Sequence, residues 1–128
     1  MSDEVKQATT GDKLEDFAAR VEGLRQMGGA KAVARQRDGG KLTARERLDV
    51  LFDPGTFQEV QLFVKHRATL FGMEKKEIAA DGVITGFGKV NGRTVFAASQ
   101  DFTSAGGTLG EMHAKKIWKV MDMALAAQ

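Results

Sequence analysis

The stretch from Gly82 to Ser99 constrains this chain more than any other. Two β-rich runs, 82–90 and 93–99, flank the dipeptide Asn91-Gly92. Asparagine and glycine tolerate the positive φ that a two-residue hairpin turn demands at both central positions. The pattern predicts a β-hairpin. A small-residue loop follows, Gln100-Asp101-Phe102-Thr103-Ser104-Ala105-Gly106-Gly107-Thr108. A helix is then expected over 109–127, with Ile117, Val120, Met121, Ala124 and Leu125 as its apolar stripe. Strand, glycine loop and helix in that order build a layered α/β (α+β) unit.

Upstream the period is helical. Leu14, Phe17, Val21 and Leu24 predict an amphipathic helix over 12–27, stopped by Gly28-Gly29. Residues 1–11 read as a flexible tail. A shorter helix over 30–36 ends before Gly39-Gly40. Thr43 and Glu46 have the spacing of a capping box, so a third helix starts there, with Leu48, Leu51 and Phe52 facing inward. Asp53-Pro54-Gly55 closes it in a tight turn. Residues 57–64 alternate loosely, as a strand would. Residues 65–80 show neither period. The expected division is a tail over 1–11, a helical segment over 12–56, and an α/β segment over 57–128.

Composition removes several classes. The chain has 128 residues and no cysteine, which excludes disulfides and thiolate metal sites and fits a reducing cytoplasm. Two histidines give no metal-ligand spacing. A net charge of +2 argues against nucleic acid as a partner, and no apolar run reaches the length of a membrane span. The polar N-terminus lacks the apolar core of a signal peptide. The last helix runs to Gln128 without a stop signal, so a truncated layered fold is expected; a short protein with a fraying last helix is the alternative.

The chemistry concentrates around Gly106-Gly107. A bare backbone admits a ligand closely, and the helix behind it turns free N–H groups toward the loop. Such a place suits a phosphate or a thioester oxyanion. A plain turn accounts for the same residues. His113 reads either as an acid–base group or as a packed or surface histidine, and no sequence neighbour activates it. Lys65-His66-Arg67 is a basic cluster that suits phosphates or a solvated loop equally. Glu111 favours the start of its helix by charge. No carboxylate pair and no Ser/His/Asp order is legible. Six basic residues between Lys31 and Arg47 raise an RNA-binding reading, without the interleaved aromatics that would strengthen it.

The run Gly40-Lys41-Leu42-Thr43-Ala44-Arg45-Glu46-Arg47-Leu48, followed by Leu51-Phe52-Asp53-Pro54-Gly55-Thr56-Phe57, resembles the opening of biotin-dependent acyl-CoA carboxyltransferase subunits. The resemblance continues through Lys65-His66-Arg67, Phe71-Gly72-Met73, Asp81-Gly82-Val83-Ile84-Thr85-Gly86, Ser99-Gln100-Asp101-Phe102-Thr103 and Gly106-Gly107-Thr108-Leu109-Gly110-Glu111. It reaches from about Asp12 to Leu125 and lies nearest the propionyl-CoA and methylmalonyl-CoA branch. It implies part of a crotonase-like ββα spiral fold preceded by N-terminal helices. It implies carboxyl transfer between biotin, carried by a partner protein or domain, and the α-carbon of an acyl-CoA, in a homo-oligomer. By motif position it makes the Gly106 and Gly107 amides oxyanion donors. It places Lys65, Arg67, Phe102, Thr103 and Thr108 at the acyl-CoA. Family members are about four times longer, so the isolated chain is expected to be incompletely folded and inactive. A non-catalytic CoA-binding or assembly module is the alternative.

Overall fold

The computed structural model describes residues 8–128. Three helices come first: α1 (Thr10–Arg25), α2 (Ala30–Asp38) and α3 (Ala44–Leu51). A short strand β1 (Gln58–Val60) and an irregular stretch lead into β2 (Val83–Val90) and β3 (Arg93–Gln100), and α4 (Glu111–Ala127) follows. The sheet is antiparallel throughout, in the order β1-β2-β3.

Helix α1 begins earlier than periodicity alone predicts. Thr9 Oγ1 accepts from the Asp12 amide at 3.2 Å, and the Asp12 carboxylate accepts from the Thr9 amide at 2.7 Å. This is a capping box with aspartate in the usual glutamate position. Thr10 and Gly11 therefore belong to the helix and Thr9 caps it; residues 1–7 of the expected tail lie outside the described residues. The box at Thr43 and Glu46 forms as the spacing predicts. The strand expected over 57–64 is cut to three residues, because Gln61 takes φ +62 and turns the chain out of the sheet.

The hairpin matches its prediction. Val90 pairs with Arg93, and Asn91 and Gly92 both carry positive φ. The structure adds a clamp that the sequence hides: the Asp53 carboxylate accepts from the Asn91 and Gly92 amides at 3.0 and 2.9 Å. The Asp53-Pro54-Gly55 turn thus caps the hairpin as well as ending α3.

One core cluster joins Ala44, Leu48 and Phe52 of the α3 segment to Ile84 of β2, with Met27, Phe57, Val90, Val95 and Ala97 around it. Arg45 and Glu59 tie α3 to β1 by a two-pronged ion pair at 2.8 and 3.2 Å. Phe57 approaches β2 so closely that a Cβ on Gly86 would lie 2.2 Å from the Gln58 carbonyl oxygen and 2.7 Å from the Phe57 ring. Helix α4 buries His113, Lys116 and Val120, while Met121 and Leu125 of the expected stripe are exposed along with Trp118. Val120 of the stripe is buried, and the other buried side chains of the helix are the polar His113 and Lys116.

Gly86→Ala should therefore cost at least about 1–3 kcal/mol, the usual range for overpacking. The readout is the urea midpoint of the 128-residue chain. An unchanged midpoint would show that β1 yields freely.

Candidate functional site

The site is built on a left-handed turn. Ala80, Asp81 and Gly82 have φ of 50°, 47° and 72°, and all three are buried. Two non-glycine residues in this region carry a conformational cost that the surroundings must offset. Helix α4 supplies the offset. The His113 amide, in its first turn, donates to Asp81 Oδ2 at 2.7 Å. His113 Nδ1 lies 2.9 Å from the Asp81 carbonyl oxygen. Lys116 Nζ donates to the Ala80 and Val83 carbonyls at 2.6 and 2.5 Å.

This geometry fixes the state of the histidine. A carbonyl oxygen only accepts, so Nδ1 carries the proton. Nε2 is then the acceptor for Gln100 Nε2 at 3.1 Å. Burial is the main cause that pulls the His113 pKa below its ordinary value, which favours the neutral ring. Both ring nitrogens are used, so of the two readings the packed histidine is the one observed. Burial likewise lowers Lys116 to about 8.

Above the turn lies a cavity of about 570 Å³. Its walls come from the loop after β1 (His66, Arg67, Met73, Ile78), from the turn, and from the loop that carries Ser104, Ala105 and Thr108 into α4. His66 holds its own loop closed: Nε2 donates to the Lys76 carbonyl at 2.5 Å, and Nδ1 accepts from the Ala68 amide at 3.2 Å. Arg67 forms an ion pair with Glu111 across the mouth, and Lys115 joins the same carboxylate at 2.8 Å. Hydrogen bonds from Lys115 and Arg67 hold the Glu111 carboxyl below the usual carboxylate range. Ser104 Oγ is buried and has no hydrogen-bond partner among the described residues.

The residues singled out by sequence divide into groups. Arg67 and Thr108 line this cavity together. Lys65 does not; it lines one hollow beside Arg20 and Phe63 and another that it shares with His66 and Arg67. Phe102 lines a third hollow with Lys41 and Arg47. Thr103 is engaged internally: its hydroxyl accepts from the Gly28 amide at 3.2 Å and donates to Asp101 at 2.5 Å. Gly106 is exposed, and its amide donates to no backbone carbonyl among the described residues. The Gly107 amide is already paired with the Ser104 carbonyl at 3.0 Å. A turn hydrogen bond thus takes one of the two expected oxyanion donors, and Asp81 takes an amide at the start of α4.

Asp81 and Lys116 escaped sequence reasoning. Their partners lie 32 to 36 residues away, and no local spacing reports such contacts. The only sequence trace is a lysine on the inner face of an amphipathic helix, where a long charged side chain needs a buried acceptor.

The carboxyl transferase domain family matches residues 35–128. The chain is 54% identical over 112 residues to the methylmalonyl-CoA decarboxylase subunit alpha of Propionigenium modestum, covering 88% of this chain and 22% of that protein. It is 51% identical over 114 residues to the propionyl-CoA carboxylase beta chain of Roseobacter denitrificans, covering 89% and 22%. A crystal structure of transcarboxylase 12S, a hexamer with methylmalonyl-coenzyme A bound, superposes with a TM-score of 0.92 at 46% identity, covering 95% of this chain and 24% of that one. The geranyl-CoA carboxylase beta subunit of P. aeruginosa, at 21% identity and TM-score 0.72, shares the fold. The mixed helix-and-strand architecture is thus that of the crotonase-like carboxyltransferases. The chain spans less than a quarter of the length of these relatives.

Lys116 makes stability depend on alkaline pH. Its pKa falls from 10.5 in the unfolded chain to about 8 in the fold, so between these values the unfolded chain binds more protons. Stability should rise as pH climbs through that window, by at most about 3 kcal/mol. Urea unfolding of the chain and of Lys116→Met at pH 7.5, 9 and 10.5 reads this directly. The variant should be weaker at every pH and should lack the rise; a parallel rise in both would assign it to other groups.

Proposed function

Because the chain belongs to the carboxyl transferase domain family, we propose that it forms the acyl-CoA side of a carboxyltransferase site, within a subunit that moves a carboxyl group between biotin and the α-carbon of propionyl-CoA or methylmalonyl-CoA. The observation that carries this reading is the cavity between the Arg67 loop and the start of α4. Its volume suits a short acyl thioester rather than a whole coenzyme. Met73, Ile78 and Ala105 give apolar wall, Arg67 places a cation at the mouth, and Thr108 stands near it. The orphaned Ser104 Oγ at the wall is a polar atom that a bound ligand or a small shift could satisfy.

In this proposal the Gly106 amide is the oxyanion donor. Gly107 contributes only after giving up its turn bond to Ser104. Arg67 meets an anionic group of the acyl-CoA by exchanging Glu111 for it. Lys65 and Thr103, which do not line this cavity, act on the ligand indirectly or not at all. Biotin arrives on a partner carrier protein or domain, and no residue of this chain is assigned to hold it. A homo-oligomeric, cytoplasmic setting goes with the reading. It is supported by the hexamer named for the transcarboxylase relative and by the lack of cysteine. Among the described residues no helix is long and apolar enough to cross a membrane.

A second reading, a non-catalytic CoA-binding or assembly module, draws support from the paired Gly107 amide and the capped α4 terminus. Two measurements test them. Calorimetry of the chain with propionyl-CoA should show saturable binding, weakened about tenfold by Arg67→Gln, the scale of one charge-assisted contact. Incubation of the chain alone with carboxybiotin and propionyl-CoA should give no turnover. Heat-silent mixing at millimolar propionyl-CoA would sink the acyl-CoA reading and the CoA-binding form of the second, leaving only an assembly role.

A further inference from the structure

The cavity above the left-handed turn has a buried end and an open one. Asp81 and Ser104, 6% and 5% exposed, belong to the buried end. Arg67 and Glu111, with more than half of each side chain in solvent, belong to the open end. Ser104 is pinned through its main chain. Its amide donates to the Asp101 carbonyl at 3.1 Å, and its carbonyl accepts from the Gly107 amide at 3.0 Å. A Cβ on Gly82 would stand 3.7 Å from the Ser104 Cβ, so this side chain packs against the turn itself.

The hydroxyl is a different matter. Buried hydroxyls are nearly always paired, and the two threonines of the same loop obey the rule: Thr103 donates to Asp101 at 2.5 Å and Thr108 to the Ala105 carbonyl at 2.6 Å. Ser104 Oγ has no partner among the described residues. No bond holds it in one rotamer, so it is free to swing about Cα–Cβ. Other donors around the turn are spent. The His113 amide is taken by Asp81, and the Lys116 ammonium by the Ala80 and Val83 carbonyls. The same contacts compensate the Asp81 carboxylate, the one negative charge at this end. Met73, Ile78, Ala105 and Met112 make the rest of the wall apolar. A plain alkyl group would suit that wall and leave the hydroxyl orphaned. A ligand that carries an acceptor there recovers the missing bond, and a carboxylate acceptor makes it charge-assisted.

We propose that Ser104 is a specificity-determining residue: its hydroxyl donates to the α-carboxylate of a carboxylated acyl-CoA, so that the cavity prefers the carboxylated thioester to the uncarboxylated one. A group kept unpaired for one ligand atom discriminates strongly against the analogue that lacks it. The proposal rests on the acyl-CoA reading above for the presence of a ligand. It adds the choice between the two forms of that ligand.

The test is calorimetry of the 128-residue chain and of Ser104→Ala with methylmalonyl-CoA, propionyl-CoA and coenzyme A, beside urea unfolding of both without ligand. Ser104→Ala should weaken methylmalonyl-CoA about tenfold and leave the other two unchanged. Its urea midpoint should hold or rise, because the deleted hydroxyl has no partner in the free chain. A lower midpoint would reveal a bond within the protein and overturn the proposal. Equal losses for methylmalonyl-CoA and propionyl-CoA would move the contact to the thioester carbonyl and overturn the carboxylate assignment. Unchanged methylmalonyl-CoA affinity overturns it as well. If propionyl-CoA then still binds and responds to Arg67→Gln, the acyl-CoA reading survives without Ser104. If none of the three ligands binds the unaltered chain at millimolar concentration, the two fall together.

Discussion

The described fold depends on how α4 grips a turn that would not hold its shape alone. Ala80 and Asp81 sit in the left-handed region without being glycine. Four hydrogen bonds from His113 and Lys116 reach this turn and the residue after it. Such bonds gain strength from burial, and the same burial makes each unmade one costly. The turn places β2 against α3 on one side and forms a wall of the cavity on the other. Removing the grip would disturb the hydrophobic core and the candidate site together, although neither His113 nor Lys116 lines the cavity.

This arrangement explains what the sequence could and could not reveal. Features set by neighbours in the chain were readable: the Asn91-Gly92 hairpin, the Thr43–Glu46 box and the break at Gly28-Gly29. Features set by distant partners were not. Helical periodicity assigned Met121 and Leu125 of α4 to the interior, yet a histidine and a lysine decide which face turns inward. The Thr9–Asp12 cap was hidden because aspartate replaces the commoner glutamate. The strand after Phe57 looked longer than it is, since nothing local in Gln61 announces a positive φ.

The candidate site was legible in part. Arg67 and Thr108, chosen by resemblance, do share one cavity, whereas Gly106 is exposed and neither it nor Gly107 is part of the lining. Thr103 instead joins the α1–α2 junction to the 101–108 loop, where Gly28 is packed so tightly that a Cβ would meet the Thr103 carbonyl oxygen at 1.8 Å. Phe102 and Thr103 are adjacent in sequence yet meet different neighbours, Phe102 a hollow with Lys41 and Arg47 and Thr103 the Gly28 amide. A run of small polar residues shows that a chain can bend closely; it does not show which side chain faces which space.

The two margins of the sheet are unequal. On one flank β1 is three residues long and ends where Gln61 swings away. On the other, β3 runs for eight residues with β2 as its sole partner among the described strands. Every second residue of β3 therefore turns its amide and carbonyl outward, away from β2, and among the described residues only the Gln100 carbonyl of this row is engaged, by Arg47. Growth of this sheet is directional: an additional strand, from the same polypeptide or from another, has a full-length template at β3 and almost none at β1.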